Sequence, residues 1–374
     1  MLLVSLLVCS HVCLAGDLNP PSAPEPTMKT LDQVEPRIPI GTDTTPGDAD
    51  SLYKITSPGS YYLTGNVNIT SNFKHAILID SDDVTVDLTG YRLWSSWVTI
   101  PPGANLDFDG IHIAAECKNI EIRNGTIASD NHTAGLFTYR GFRKGLSAEN
   151  DTDGIRIKDI RVSGARESGI ELLGNDNLVK GCTVSDNGTS VTSDVYGIYA
   201  LSGSTVTGNT VNNNGESVTS DVYGIKVGWG STVSGNTVSH NGDSASGSYG
   251  IYASIGCTVT GNTTRSNGYY AVGTVYGIRA CGSTVTGNMA YFNGYNATGT
   301  VYGIYADTGS TVTGNTAYHN GDSATNTAYG IYLAGYNLVD QNTAYGNGTG
   351  AGSATNITYG VTGCVYGINV PPAP

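Results

Sequence analysis

Apolar residues recur along the second half of this chain in short strand-like runs, and the runs themselves recur. Between Val195 and Ile331 the text repeats as V-Y-G-I-x-A, then S-T-V-T-G-N-T-x, then x-x-N-G. The central apolar residues of the middle run are Val179, Val206, Val233, Val259, Val285, Val312 and Val339, with successive steps of 27, 27, 26, 26, 27 and 27. Weaker matches carry the series back to Val86, Ile122 and Ile157. Each repeat is too short to bury its own apolar face, so repeats of this kind stack as the coils of a solenoid. The step from Ile157 to Val179 is only 22 residues. That is a bare coil, and it places the extra residues of later coils in a loop ahead of Y-G-I, such as Thr189 to Asp194.

Period-2 alternation orients the side chains. Ile198 defines the inside of its strand, and Tyr196 and Ala200 share its parity. In Ser204-Thr205-Val206-Thr207 the Val points in and both Thr point out. Stacking then turns each repeat position into a ladder with rungs about 4.8 Å apart. Ile198, Ile225, Ile251, Ile278, Ile304 and Ile331 form an internal ladder. Asn209, Asn236, Asn262, Asn288, Asn315 and Asn342 form one at a corner, where Asn tolerates a left-handed backbone and its amide can bond the next coil. Outward beside the Ile ladder stand Tyr199, Lys226, Tyr252, Arg279, Tyr305 and Tyr332, a stripe of aromatic rings and cations suited to a glycan. The outward Thr form a two-column array, Thr205/Thr207 through Thr311/Thr313, ending where Leu338 and Asp340 replace both. A regular T-x-T face of this kind resembles the ice-binding face of antifreeze solenoids; as a plain sheet surface it is also favourable.

Composition agrees with an all-β chain. Glycine (51) and tyrosine (24) are abundant while Phe (5) and Met (3) are scarce, and 13% of residues are charged. A net charge of −13 disfavours nucleic acid as a partner. The first 190 residues hold 24 of the 31 acidic and 15 of the 18 basic residues, so later coils owe their solubility to Asn, Ser, Thr and Tyr. Residues 1–15 read as an export signal, with an apolar run from Leu2 to Val8 and small residues before Gly16. This predicts a secreted or cell-surface protein, and no later stretch is long enough to span a bilayer. Residues 16–27 are a Pro-rich linker and residues 28–50 a segment able to cap the first coil, with the solenoid over 51–370. The remaining cysteines, Cys117, Cys182, Cys257, Cys281 and Cys364, fit neither a disulfide framework nor a metal motif. Residues 92–107 and 128–152 read as outsized loops, and Tyr366-Gly367-Ile368 as a last partial turn.

The run Ser57-Pro58-Gly59-Ser60-Tyr61-Tyr62-Leu63-Thr64-Gly65, then Val84-Thr85-Val86-Asp87-Leu88-Thr89-Gly90, then the G-I and T-G-N-T repeats, resembles secreted bacterial right-handed parallel β-helix proteins of the pectin-lyase-like superfamily. The resemblance covers about residues 50–370. It implies a right-handed parallel β-helix of about ten to eleven coils, and an architecture shared by lyases, glycosidases and adhesins. Arg156-Ile157-Lys158 and Asp151-Thr152-Asp153-Gly154 are similar to short polygalacturonase signatures, but the Gly-His-Gly and paired Asp that accompany them are missing. A lyase of this superfamily needs carboxylate ligands for Ca²⁺ beside a basic residue. The catalytic candidates are Asp109, His112, Arg156 and Glu171, with Asp107 and Glu116 nearby. The residues by themselves favour glycan binding or a surface or adhesion role without catalysis, with no cofactor and no metal. A polysaccharide lyase or glycosidase acting on acidic polysaccharide is the alternative, and a purely structural solenoid a further one. The partner expected is a polysaccharide or cell-surface glycan.

Overall fold

The computed structural model describes residues 36–70, 74–95, 107–129, 141–189, 191–350, 352–359 and 365–366. Residues 38 onward form one compact unit, a parallel β-solenoid of about 11 turns, with strands but no helix among the described residues. Among the described residues no helix is long and apolar enough to cross a membrane.

Each coil contributes to three walls. The first wall is a twelve-stranded parallel sheet that begins at Ser51–Ile55 and includes Ile111–Ile113, Lys144–Ala148, Ser168–Leu172, the Y-G-I strands and Ser353–Tyr359. The second wall holds the T-V-T strands. All ten apolar anchors fall on one column there, Val86 facing Ile122, Ile157, Val179, Val206 and so on to Val339. The third wall runs from Val67–Ile69 to Thr343–Tyr345. Every anchor from Val86 to Val339 has its side chain sealed from water.

The corners are closed by polar ladders. The Asn expected at one corner lie in a single file. The backbone N–H and the Nδ2 of Asn236 both donate to Asn262 Oδ1 (3.0 and 2.9 Å), and Asn262 Nδ2 donates to the Val233 carbonyl (2.9 Å). Cys182 heads this file, its N–H donating to Asn209 Oδ1 at 2.8 Å, and burial pushes its thiol up to about 11. A second file, from Asn187 through Asn214, Asn241, Asn267, Asn293 and Asn320 to Asn347, uses the same bonds at the next corner. Its signal was present in the recurring N-G pairs, whose Gly take a left-handed backbone, as Gly268 does at φ 65°. The glycosylation-type triplets beginning at Asn187, Asn262 and Asn347 are therefore buried structural amides.

Two expectations are corrected. Tyr196 does not point inward with Ile198. The strand Val195–Ala200 loses its alternation at Gly197, where a Cβ would lie 2.4 Å from Val211 and 3.1 Å from the Asn214 amide. Gly197 and Ile198 both face the interior, and Tyr196 and Tyr199 both face out with rings 4.9 Å apart. The supposed loops at 92–107 and 128–152 contain the strands Arg92–Ser95 and Lys144–Ala148, held by neighbouring coils despite weak local patterns. The closing Tyr366 extends the second-wall column opposite Val339, while Ile357 takes the last rung of the Ile ladder. Within the proposed cap segment, Ile38–Pro39 adds a rung to the second wall beside Tyr61–Tyr62; residues 28–35, the linker and the export segment lie outside the described residues.

The Thr array has the expected register. Ser234 Oγ donates to Thr207 Oγ1 (2.9 Å), and the Thr286 and Thr313 hydroxyls bond at 3.1 Å. These bonds join rungs to one another and so stabilise the sheet.

Asn262→Ala leaves the Val233 carbonyl and the Asn236 amide without partners inside the wall. It should destabilise the solenoid by about 2–4 kcal/mol, whereas Thr258→Ala on the exposed second wall should change it by less than about 0.5 kcal/mol. Urea unfolding of both variants checks this.

Candidate functional site

The outer face of the first wall carries one unbroken file of residues. Register alone places Lys54, Leu78, His112, Ser147, Glu171, Tyr199, Lys226, Tyr252, Arg279, Tyr305, Tyr332 and Thr358 on successive rungs. The expected stripe is thus real, and two catalytic candidates, His112 and Glu171, continue it toward the N-terminal end. Arg156 is not part of it, because it lies on the second wall between Glu121 and Leu178.

A second file, one strand step away, is made of Tyr196, Tyr223, Tyr249, Tyr276, Tyr302 and Tyr329. Their rings stack face to face at 4.6–5.4 Å. Lys226 Nζ sits 4.5 Å from the Tyr223 ring and 4.9 Å from Tyr196, and the Arg279 guanidinium lies 5.3 Å from both Tyr252 and Tyr276. Each cation fills the place that a ring takes on the neighbouring rungs, held by cation–π attraction. Because the faces of this Tyr file are used against one another, its rings offer edges and hydroxyls outward. Burial raises the Tyr302 phenol to about 12, helped by the neighbouring Tyr276 and Tyr329, so these hydroxyls stay neutral donors.

The inserted loops stand along this face as a ridge with its own small cores. Val195, Val218, Val222 and Ala245 form one, and Ala271, Val275, Ala297, Val301, Ala324 and Ala328 the other. Successive loops are joined by backbone bonds such as Val272 N to Ala245 O (3.0 Å) and Thr298 N to Ala271 O (2.9 Å).

At the N-terminal end of the file lies a dense polar cluster. Asp109 is fully buried and accepts bonds from Arg143 Nε and Nη2 (3.2 and 3.1 Å), Ser147 Oγ (2.6 Å) and the Lys144 amide (3.1 Å). Burial opposes its ionisation, but bonds from His112 and Arg143 and the Arg143 charge outweigh it and hold the carboxyl well below its usual range. Ser147 gives its proton to Asp109, so its oxygen accepts from His112 Nδ1 (2.8 Å). This leaves His112 Nε2 against Glu149 Oε1 at 3.2 Å, beside a cavity of about 420 Å³ that Lys144 and Leu173 help to line. Lys144 Nζ pairs with Glu171 at 2.5 Å, and Arg143 also holds Asp107 at 2.9 Å. His75, Arg143, Lys144, Ser147 and Glu149 were not singled out in the sequence. The last four fall in the span taken for a loop, and only the K-G-L-S-A apolar spacing marked it as a strand.

His75 stacks on His112, centroids 4.3 Å apart and planes within 15°. Its Nδ1 accepts the Asp109 N–H (3.0 Å), which requires the neutral ring. Burial, then the His112 charge, lowers its pKa to about 4. His75, Asp109 and His112 bring ligand atoms close together, yet they do not fit a metal. Lone pairs of two nearly parallel rings point side by side, and a metal about 2.1 Å from each nitrogen would have to lie in both ring planes. Calcium fits no better, since Arg143, Lys144 and Ser147 already engage the oxygens of Asp107, Asp109 and Glu171.

The model of a family described as "Right handed beta helix region" matches residues 56–241. The chain has the fold of a right-handed parallel β-helix, and over those residues it is similar to that family. In fold, this β-helix is similar to the A-module of mannuronan C-5 epimerase AlgE4 of Azotobacter vinelandii (TM-score 0.52, 15% identity, covering 81% of this chain and 82% of that one). It is also similar to the Dettilon tailspike protein (TM-score 0.46, 17% identity, covering 83% of this chain and 61% of that one). No curated protein sequence matches the β-helix.

Two outcomes test the cluster. A folded pKa of about 4 for His75, against 6.5 unfolded, means that between those values the unfolded chain binds the extra proton. Stability is then complete above pH 6.5 and falls by roughly 2–4 kcal/mol as pH drops through the window. Melting curves of the β-helix across that range should show the fall, and His75→Asn should flatten it. Arg143→Met strands the buried Asp109 charge and should cost about 3–5 kcal/mol. Lys158→Met, whose Glu121 partnership is half exposed, should cost less than about 1 kcal/mol.

Proposed function

We propose that this β-helix acts outside the cell as a polysaccharide-binding protein, with the outer file of the first wall as the binding groove. The unbroken register from Tyr199 to Tyr332 carries this reading. It provides a straight track, bounded by the loop ridge, on which each coil presents one hydroxyl-bearing ring or one cation. The rung spacing of about 4.8 Å is close to the length of one pyranose in an extended chain, so a linear glycan meets an equivalent group at each sugar. Tyr edges and hydroxyls give such a chain both apolar contact and hydrogen bonds. The export segment expected at residues 1–15 agrees with an extracellular polysaccharide as partner.

A second reading adds chemistry at the N-terminal end, and the His112–Glu149 contact favours it. With Nδ1 committed to Ser147, a proton shared between Nε2 and the half-exposed Glu149 carboxylate faces the cavity. Such a pair is placed to take a proton from, or give one to, a sugar bound on the adjacent rungs.

Retention on immobilised polysaccharides tests the groove. Tyr305→Ala with Tyr332→Ala should weaken retention by about tenfold or more, and wild-type retention by the double variant would overturn the reading. His112→Ala should leave retention unchanged. If the wild type releases shortened or unsaturated sugars from a retained polymer, that variant should abolish the release; a wild type that releases none overturns the second reading alone.

A further inference from the structure

The two cations of the groove are not equivalent, and the difference bears on what the groove accepts. Lys226 stands among carboxylates, with Asp194, Asp221 and Glu171 all favouring its charge. Arg279 makes no ion pair with any described residue. The polar groups that face it are the hydroxyls of Tyr249, Tyr252 and Tyr276 and the thiol of Cys281, and its Nε is buried with no hydrogen-bond partner. Its rung neighbours are the uncharged Tyr252 and Tyr305. A guanidinium held by rings on its neighbouring rungs, with no carboxylate to neutralise it, is a preformed fork for a carboxylate or sulfate. Elsewhere the file repels anions. Asp107, Asp109, Glu149, Glu167 and Glu171 outnumber Arg143, Lys144 and Arg166 at the His112 end, and the whole chain carries −13.

We infer that the groove selects a polysaccharide whose anionic sugars are isolated among neutral ones, with one anionic group seated on Arg279 and neutral sugars on the rungs beside it. This rests on the groove reading above and narrows it. A polyuronate would bring a carboxylate to every rung, including those beside Glu171 and beside the carboxylates around Lys226. The repulsion there offsets what Arg279 contributes. A neutral glycan would leave the guanidinium unpaired beneath it.

The test compares three immobilised polymers at low ionic strength with the full chain. They are gellan, whose linear repeat carries a single glucuronate among neutral sugars, polygalacturonate, charged on every sugar, and a neutral β-glucan. Gellan should be retained most strongly, and added salt should weaken that retention. Arg279→Gln should reduce gellan binding about tenfold or more and leave the weak β-glucan retention unchanged. Arg279→Lys should recover part of the loss, since it keeps the charge without the fork. Circular dichroism and melting of both variants confirm that the coils remain stacked. Gellan binding by Arg279→Gln equal to wild type, or a preference for polygalacturonate, would overturn this inference while leaving the groove intact. Retention of none of the polymers would instead remove the groove on which it depends.

Discussion

The structure depends on an amide that can bond in both directions along the stack. A parallel coil must turn three times, and each turn leaves backbone groups that strands cannot satisfy. In the two Asn files the side-chain oxygen takes the amide of the coil before it, and the side-chain nitrogen reaches a strand carbonyl of that preceding coil and the next Asn oxygen. One residue thereby closes a corner and fixes the register to its neighbour. Because each member is buried, an unmatched rung would strand several polar groups at once. That penalty holds repeats of 26 and 27 residues in the same alignment. Of the two 26-residue steps, one is shortened in the loop between Asn241 and Ile251 and the other between Ile278 and Val285, so both Asn corners keep their alignment.

Fixed corners free the outer surface of the first wall to carry function. Its inner side is committed to the Ile ladder, and Gly197 and its equivalents let the third wall press close from within. The local break in alternation turns two Tyr per coil outward instead of one. The result is a paired track in which one file stacks on itself and the other alternates rings with cations. At the N-terminal end the same file becomes ionisable, and there Arg143 makes a fully buried carboxylate tolerable. The Tyr–cation track and the polar cluster are one column because they occupy the same strand position, not because a loop brings them together.

How much of this could be read from residues varies along the chain. The ten anchors, the first Asn file, the Thr columns and the Tyr–cation stripe were legible because identical residues recur at nearly constant spacing. Where the repeat decays, local pattern was not enough. Arg92–Ser95 and Lys144–Ala148 are strands because coils on either side supply their partners, and neither shows alternation long enough to announce itself. The role of Tyr196 was hidden for a different reason. A period-2 rule cannot foresee that a glycine under pressure from Val211 and Asn214 turns two consecutive residues inward. The cluster around Asp109 was half visible. Asp109, His112 and Glu171 stood out as ionisable, but Arg143, Ser147 and Glu149 lie 34–40 positions from Asp109 in sequence and meet it or His112 only through stacking.

Near-identical coils also make the groove modular. Duplicating one coil between Val206 and Val312 adds one rung to every ladder at once and leaves each corner with a compatible partner. Removing one coil subtracts a rung just as cleanly. The length of the track is therefore quantised in steps of one coil, and unequal recombination within the repeats can lengthen or shorten it with every ladder intact. Moving Arg279 by a whole coil would shift the spacing between the charged rung and the His112 end by the same unit. Copying or losing coils thus changes the length of the outer track with no new fold and few new side chains.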